Sequence, residues 1–491
     1  MAIAVETFIL DPGSQGTLQQ QLRQIVVDGV LSGRFRPGER LPSSRALARH
    51  LGISRITVTL AYTDLVANDY LVARGRSGYF VSEDAPQPPS FERPTRRRAA
   101  AVDWQRALAR RFTTATAPVR PADWQRYPYP FIYGQIDPQL FDHQNWRLCA
   151  LQALGQKDFD TLTSDTYERD DPRLIEYILR NILPRRGIWA RPEEILLTLG
   201  AQNALWLAAQ ILLTQRRTAA MENPCYPGLR TILEPMRCRS LALDVDAQGL
   251  DPDTVPPGID VLFVTVSHQC PTNATMPIAR RRDLLERAER DGFIIVEDDY
   301  EFEISPLRAP SPSLKSLDEA GSVVYAGSFS KSLFPGLRLG YLVADEAFIN
   351  EARALRALVL RHPPGHIQRT AAYFLSLGHY DAQVARMSAA YRRRREAMAA
   401  ALTDHRLDGE RPARFGASSA WLRAPAGVDV DELAHRLRRR GVLIEPGHGF
   451  FADPAEGRGH YRLAFSSIPT ARIAEGISRI ADEMAETGIT Q

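Results

Sequence analysis

Lysine is nearly absent from this chain of 491 residues, although positive charge is not. Lysine and arginine together number 61, and the only lysines are Lys157, Lys315 and Lys331. Arginine keeps its proton at neutral pH, whereas a lysine amine can lose its proton and attack a carbonyl carbon to form a Schiff base. A surviving lysine is therefore a candidate for covalent chemistry. The alternative is that these lysines fall at their positions by chance in a codon-biased chain. The neighbouring residues must distinguish a chemical role from chance.

Three further absences restrict the class of protein. No apolar run is long enough to cross a bilayer, and the start "MAIAVETFIL" lacks the charged and apolar regions of a secretory signal, so we expect a cytoplasmic protein. The four cysteines are spread too widely for metal-ligand pairs or a disulfide scaffold, which predicts reduced thiols and no metal site. The net charge is only +3, so any binding of nucleic acid requires a local basic surface.

The first part of the chain, residues 1–83, has the pattern of a winged helix-turn-helix domain. Apolar residues recur at helical spacing in "TLQQQLRQIVVDGVLSGRF", which predicts a helix with one buried face. The segment "SSRALARHLGISRITVTLAYTDLVANDYL" predicts two short helices around a turn at Gly52, with Ser54 capping the second helix. Two β-prone arms in "LVARGRSGYFV" predict a hairpin wing. The length of the whole chain predicts roughly two to four domains.

Basic and hydroxyl side chains of this domain are candidates for contact with DNA. In a winged helix the second helix of the pair enters the major groove, and the wing meets phosphate or the minor groove. The DNA-binding candidates are Arg45, Arg55, Thr57 and Thr59 on the helices, and Arg74 and Arg76 on the wing. The alternative is that these arginines only solvate helix surfaces. The pattern "PGERLPS.R.LA..LG.SR.TV..AY..L" resembles the GntR-type family of bacterial winged-helix regulators, which implies a dimer that binds paired half-sites of operator DNA.

The rest of the chain predicts a linker followed by an α/β domain. Residues 84–126 are rich in proline and arginine and have weak periodicity, which predicts a linker. Over residues 127–485, apolar runs such as "EILLTLG", "DVLFVTV" and "GFIIVEDDY" alternate with amphipathic helical stretches. Runs without polar alternation indicate strands that are covered on both faces, so we expect an α/β fold with a mostly parallel central sheet. The mixture of helices and strands over about residues 385–485 predicts a smaller α+β subdomain.

The residues around Lys331 match the needs of a pyridoxal phosphate site. Such a site needs an amine, a carboxylate for the pyridine nitrogen, an aromatic face, a phosphate cradle and a group for a substrate acid. Lys331 follows a strand in "SVVYAGSFSK", and Asp298 lies at the carboxyl end of another strand, where α/β sheets place ligand sites. The other candidates are Tyr300 for the ring hydroxyl, Tyr226 for the ring face, Gly200, Ala201, Gln202, Ser328, Ser330 and Arg338 for the phosphate, and Arg462 for the effector carboxylate. Each of them alone has an ordinary alternative, such as helix capping for an aspartate or packing for a tyrosine.

These residues resemble fold-type I aminotransferases over about residues 127–485, and the fusion in this order resembles the MocR/GabR family of transcription regulators. The resemblance implies that Lys331 carries pyridoxal 5'-phosphate as an imine, that Asp298 pairs with the pyridine nitrogen, and that Arg462 binds the effector. It also implies a homodimer that is head-to-tail and domain-swapped. The chain departs from the aminotransferase pattern at "SHQCPTNATM", where Cys270 replaces the asparagine that tunes the ring hydroxyl and Asn273 replaces a glycine.

The function predicted first is that of a DNA-binding transcription regulator that is not an enzyme. It senses an effector with an amino group, such as an amino acid, by forming an external aldimine at Lys331. The alternative is an active aminotransferase that carries a DNA-binding domain, and steady turnover of an amino acid and an oxo acid distinguishes that enzyme from a sensor. A regulator whose large domain has lost the cofactor is the third interpretation.

Overall fold

The computed structural model describes residues 2–11, 13, 16–86, 103–108, 121–165, 168–304, 312–407 and 414–489. The chain divides into two units, Met1–Arg111 and Phe112–Gln491. Most of the predicted linker, residues 84–126, falls outside the described ranges. No helix within those ranges is both long enough and apolar enough to cross a membrane.

The first unit contains the elements of the predicted winged helix-turn-helix, which is confirmed. Its helices and strands are α1 (Leu18–Leu31), α2 (Ser44–Leu51), α3 (Arg55–Ala67), β1 (Leu71–Ala73), β2 (Tyr79–Val81) and the short α4 (Trp104–Ala107). Strands β1 and β2 pair antiparallel, and a 3-10 turn, Gly75–Ser77, joins them. The core under the three long helices includes Leu22, Val26, Leu47, Val58 and Tyr62, all fully buried.

Short polar side chains determine where the first three helices begin. Thr17 forms a capping box before α1. Ser43 and Ser54 cap α2 and α3 by accepting hydrogen bonds from main-chain N–H groups of the first turn, as predicted for Ser54. Such a cap stabilises a helix by about 1 kcal/mol. Gly52 ends α2 in the left-handed conformation, at φ 66°, which glycine adopts without strain.

The second unit is built on an eight-stranded sheet. Its helices are α5 (His143–Ala153), α6 (Gln156–Leu162), α7 (Pro172–Tyr177), α8 (Ala201–Leu212), α9 (Pro227–Leu233), α10 (Ile278–Asp291), α11 (Leu314–Leu317), α12 (Glu346–Leu360), α13 (Gly365–Ser376), α14 (His379–Asp404), α15 (Val430–Arg439) and α16 (Thr470–Ile489). Its strands are β3 (Tyr129–Pro130), β4 (Ile195–Thr198), β5 (Thr218–Asn223), β6 (Arg239–Asp246), β7 (Gly249–Leu250), β8 (Val261–Val264), β9 (Ile294–Asp299), β10 (Val323–Ser328), β11 (Gly340–Val343), β12 (Arg414–Phe415), β13 (Ser419–Arg423), β14 (Val442–Leu443), β15 (Glu445–Pro446) and β16 (His460–Ala464).

The large sheet is mostly parallel, as predicted. Its strand order is β4-β11-β10-β9-β8-β5-β6-β7. The neighbours β10, β9, β8, β5 and β6 run parallel, whereas β11 runs antiparallel to both β10 and β4. Strands β4, β8 and β10 are buried along their whole length, because helices cover both faces of the sheet.

The end of the chain forms a smaller sheet with its own core. Strands β12, β13, β16 and β15 pair antiparallel in that order, and residues of α14, α15 and α16 pack against them. Strand β3, from the start of this unit, pairs parallel with β14 and so joins the small subdomain. The register places Trp421 of β13 and Glu445 of β15 opposite Arg462 of β16.

Candidate functional site

The carboxyl ends of three strands bring the cofactor candidates to one edge of the large sheet. Asp298 is the last residue but one of β9, and Ser328 is the last residue of β10, which runs parallel to β9. Lys331 follows three residues after Ser328. Gly200 follows β4, which is antiparallel to β11 and therefore parallel to β10. Loops that follow parallel strands meet at the same edge of a sheet, which is where α/β folds bind ligands.

Lys331 carries an amine that loses its proton easily. Burial lowers the pKa of Lys331 from 10.5 to about 8, and the nearby carboxylate of Glu301 opposes this effect. The Nζ atom lies 3.8 Å from the centroid of the Tyr133 ring. Among the described residues, no carboxylate comes within 4.0 Å of Nζ. An appreciable fraction of the amine is therefore uncharged, and so nucleophilic, near neutral pH.

Asp298 has a buried oxygen that no group among the described residues satisfies. Burial raises the pKa of Asp298 to about 7, the charge of Asp299 adds to the rise, and the charge of Lys331 opposes it. Its Oδ1 atom has no hydrogen-bond partner among the described residues. Because an unpaired buried polar atom costs free energy, Oδ1 fits a donor on a ligand, such as the N–H of a protonated pyridine ring. Asp298 lines a small cavity together with Tyr226, whose ring can cover the face of such a ligand.

The start of α8 and Arg338 form a corner that is rich in hydrogen-bond donors. Gly200 precedes α8 at φ 83° and ψ 175°, a conformation that is essentially restricted to glycine. The first-turn N–H groups of Ala201 and Gln202 have no acceptor within the helix. Arg338 Nη2 donates to the carbonyl of Leu199 at 2.9 Å and lies 3.1 Å from the place that a Cβ atom on residue 200 would take. Main-chain N–H groups beside a guanidinium suit a phosphate group.

The two serines before Lys331 add a hydroxyl to the phosphate candidates. Ser330 N donates to Ser328 Oγ at 3.2 Å. Ser330 Oγ is buried, and the described residues provide no partner for it. Ser330 Oγ and Asp298 Oδ1 are thus two unsatisfied buried polar atoms, and their chemistry matches the phosphate and the pyridine nitrogen of pyridoxal phosphate, respectively. The residues that are present fit this cofactor.

Tyr300 lies close to these residues, but its hydroxyl already donates its hydrogen to a main-chain carbonyl. Its hydroxyl donates to the carbonyl of His268 at 2.8 Å, and its ring meets the Tyr133 ring edge-on at 6.4 Å between centroids. The sequence predicts that Tyr300 bonds a ring hydroxyl, and with this hydrogen committed it can do so only as an acceptor. Burial raises the pKa of Cys270 to about 11, so the residue that replaces asparagine is a neutral thiol.

Arg462 is a buried guanidinium that makes few hydrogen bonds. Its Nε donates to Glu445 Oε2 at 2.8 Å, and its Nη1 lies 3.8 Å from the sulfur of Cys270. Its Cζ lies 4.0 Å from the ring centroid of Tyr133 and 4.7 Å from that of Phe450. Burial disfavours the charge, but Glu445 raises the pKa of Arg462 above its ordinary value. The structure therefore brings Arg462 and Lys331 to the same tyrosine ring.

Three residues of the site, Tyr133, Glu301 and Glu445, are not among those selected from the sequence. Tyr133 donates its hydroxyl to Glu301 Oε1 at 2.6 Å, and Ser418 bonds to the same oxygen. Glu301 directly follows Tyr300, so its position was visible in the run "DDYE". Tyr133 and Glu445 are placed by the pairing of β3 and by the register of β15, for which the sequence has no local signal.

The DNA-binding candidates lie on the surface of the first unit. Arg45 on α2 and Arg55 at the start of α3 are exposed. Thr57 and Thr59 are half-buried, and Thr59 donates its hydroxyl to the carbonyl of Arg55 at 2.9 Å. The first turn of α3 therefore presents Arg55 to a ligand more openly than either threonine.

The wing and the rest of α3 add further surface. Arg74 is exposed, with its guanidinium 4.9 Å from the centroid of the Phe80 ring. Arg76 lies in the turn of the wing, and its side chain is outside the description. Ile56 and Leu60 on α3 are 70% and 50% exposed. The sequence analysis did not select these two, although the helical period already aligns them with Arg55 and Thr59.

Comparison with known proteins identifies both parts of the chain. Residues 150–480 match the family Aminotransferase class I and II, and residues 18–81 match the family Bacterial regulatory proteins, gntR family. The HTH-type transcriptional regulator TauR of Rhodobacter capsulatus is 61% identical over 481 residues, which cover 98% of this chain and 99% of TauR. The probable rhizopine catabolism regulatory protein MocR of Rhizobium meliloti is 28% identical over 96% of this chain and 94% of MocR.

Solved structures of aminotransferases share the fold of the second unit. The alpha-aminoadipate aminotransferase LysN of Thermus thermophilus matches with a TM-score of 0.70 and 26% identity, covering 79% of this chain and all of LysN (100%). The kynurenine aminotransferase of Pyrococcus horikoshii matches with a TM-score of 0.69 and 24% identity, covering 78% of this chain and 98% of the enzyme. The predicted fold class of the second unit is confirmed.

Proposed function

Because this chain belongs to the MocR-type transcription regulators, in which a GntR-family DNA-binding domain is fused to an aminotransferase class I and II domain, we propose that its second unit senses an amine effector with pyridoxal 5'-phosphate. The observation that carries the proposal is the position of Lys331 in the loop after β10, at the edge of the sheet where Asp298 Oδ1 and Ser330 Oγ have no partner among the described residues. The first unit binds operator DNA, and a homodimer supplies two such units for paired half-sites.

Different residues of the site would hold different parts of the cofactor. When bound, pyridoxal phosphate supplies an aldehyde carbon at which one amine can replace another. Lys331 would be the resident amine, and an effector amine would take its place. The carboxylate of Asp298 would hold a proton on the pyridine nitrogen, because its Oδ1 has no partner among the described residues. Ser330, Arg338 and the first turn of α8 would hold the phosphate, and Tyr226 would cover the ring.

The distance between the amine and acid sites limits the length of the effector. Lys331 Nζ and Arg462 Cζ lie 3.8 Å and 4.0 Å from the same Tyr133 centroid, so the two atoms are at most about 8 Å apart. An effector that carries both an amine and an acid group can therefore reach the position of the Lys331 amine and the Arg462 guanidinium at the same time. This short distance favours a small molecule. Together with the name of the relative TauR, it makes taurine the first effector to test.

Transamination is a second candidate function, and one observation favours it. An amine with a pKa of about 8 can remove a proton from a substrate carbon and return it, which is what transamination requires of this lysine. Cys270 weighs against it, because a thiol is a weaker hydrogen-bond partner for the ring than the usual asparagine. Continuous formation of an oxo acid would establish the enzyme, whereas one spectral change that then stops would establish the sensor.

Borohydride reduction of the full chain, followed by mass spectrometry of its peptides, tests cofactor attachment. We expect a pyridoxyl adduct on the peptide that contains Lys331. The adduct should disappear in Lys331→Ala and remain in Lys157→Ala, which removes an exposed lysine. A reduced protein without an adduct, or with the adduct on another lysine, would refute the proposal.

Titration with amines tests sensing in the same preparation. Taurine, β-alanine and a simple alkylamine are added while the visible absorption and the binding of selected operator DNA are followed. We expect taurine or β-alanine to change both signals in the parent chain. Lys331→Ala should still bind the DNA but should ignore the amines. A Lys331→Ala variant whose DNA binding still responds to them would show that sensing does not use this lysine.

A further inference from the structure

Glu445 is the carboxylate that occupies Arg462 in this structure. The two residues lie directly opposite each other on β15 and β16, and one hydrogen bond of 2.8 Å joins Arg462 Nε to Glu445 Oε2. We propose that Glu445 holds the acid-binding site of Arg462 until an effector displaces it, so that Glu445 determines which acid groups are accepted. The inference rests on the proposed function, because the role of Arg462 as the effector's anchor belongs to it.

Arg462 donates to fewer main-chain carbonyls than two other buried arginines of this unit. Arg281 donates to three main-chain carbonyls, and Arg394 donates to two in addition to a carboxylate. Arg462 donates to no carbonyl among the described residues, and its second polar neighbour is only the thiol of Cys270. A guanidinium has five N–H donors, and a buried guanidinium that uses few of them still has donors available for a ligand.

The contact with Glu445 is of a kind that a ligand can break. Glu445 reaches Arg462 through a single hydrogen bond, whereas an acid group of a ligand can accept two. The side chain of Glu445 is 23% exposed and that of Arg462 is 8% exposed, so Glu445 can turn towards water while the arginine stays in place. The rings of Tyr133 and Phe450 lie against the guanidinium and hold it during the exchange.

Glu445 also begins a segment that is tied to the large sheet. Four residues after Pro446, the carbonyl of Phe450 accepts hydrogen bonds from Cys225 N at 2.9 Å and from Arg230 Nη1 at 2.6 Å. Cys225 immediately precedes Tyr226, which covers the cofactor ring in the proposed function. Release of Glu445 would therefore act on a segment that is hydrogen-bonded to the residue immediately before Tyr226.

Binding of a simple anion to the cofactor-free full chain tests the inference without requiring any cofactor chemistry. Methanesulfonate, which has an acid group and no amine, is titrated by calorimetry. We expect Glu445→Gln to bind it at least about tenfold more tightly than the parent, because no ion pair has to be broken first. Glu445→Ala should show the same gain. Glu432→Gln, which removes an exposed carboxylate elsewhere in the small subdomain, should bind as the parent does.

A second substitution shows whether the gain arises at Arg462. Combining Glu445→Gln with Arg462→Met should abolish the gain. Equal or weaker binding in both Glu445 variants would overturn the inference, as would a gain that persists without Arg462. The anion titration does not depend on attachment of the cofactor. The proposed function, in contrast, fails if Lys331 carries no pyridoxyl adduct. An adduct at Lys331 together with an unchanged anion affinity in the Glu445 variants would refute the inference alone.

Discussion

Replacing Lys331 by methionine should stabilise the cofactor-free chain at neutral pH. Burial disfavours the charged ammonium, which is why the pKa of Lys331 falls from 10.5 to about 8. Methionine has a similar length and no charge, so it fills the same space without that cost. Part of the stability of the fold is therefore given up to keep a reactive amine in the site.

The size of the effect follows from the shift in pKa. Each pKa unit corresponds to about 1.4 kcal/mol, and water screens part of the cost because Lys331 is only partly buried, so about 2–3 kcal/mol is expected at pH 7. Between pH 8 and pH 10.5 the unfolded parent binds more protons than the folded parent, so the free energy of unfolding of the parent rises with pH. The advantage of Lys331→Met should shrink across this window and vanish above it.

Chemical denaturation of the cofactor-free proteins, followed by fluorescence at several pH values from 7 to 10.5, measures this difference. Lys157→Met is the matched control, because Lys157 is exposed and its substitution removes a lysine outside the site. An advantage of Lys331→Met that stays constant with pH would refute the reasoning. Equal effects of the two substitutions would refute it as well.

Three other substitutions test the cofactor and DNA sites. Asp298→Asn should weaken the binding of pyridoxal phosphate about tenfold or more, because a neutral amide stabilises the proton on the ring nitrogen less than a carboxylate does. Absorption titration measures this affinity, and an unchanged affinity would show that Asp298 does not contact the cofactor. Gly200→Ala should cost about 1–3 kcal/mol of stability because of its backbone conformation, whereas Gly459→Ala, in open space, should be tolerated in the same thermal unfolding assay. Arg55→Ala should cost about 1–3 kcal/mol of discrimination between operator and random DNA, and Arg49→Ala, also exposed, should cost less; equal losses would show that Arg55 contacts only phosphate.

The sequence predicted those parts of the fold whose signals are local. Continuous apolar runs identified β4, β8, β9 and β10, because strands covered on both faces have few polar positions before their carboxyl ends. Strand β6 was not singled out, since its residues alternate between half-buried and exposed along the sheet. The antiparallel direction of β11 and the pairing of β3 with β14 depend on distant parts of the chain, and no local pattern reports them.

The candidate site likewise contains residues that a local sequence signal reveals and residues that only the pairing of distant strands brings into place. Asp298, Ser328 and Lys331 lie at or just beyond strand ends, and a strand end is visible in the sequence as the place where an apolar run stops. Tyr133 and Glu445 become part of the site only when the small subdomain assembles, since strand pairing places them. The sequence therefore indicated the groups for the cofactor better than the groups for the effector.

Tyr133 explains why the amine and acid sites can respond to one ligand rather than to two separate ones. Its ring contacts both Lys331 Nζ and the guanidinium of Arg462, and its hydroxyl donates a hydrogen bond to Glu301. In the proposed function, a ligand with only an amine would replace Lys331 and leave the ion pair of Arg462 and Glu445 intact. A ligand with only an acid group leaves Lys331 in place. Only a molecule that carries both groups at the right spacing would change the contacts of the Tyr133 ring with both Lys331 and Arg462. The two contacts together would therefore distinguish the correct effector from a simple amine or a simple acid.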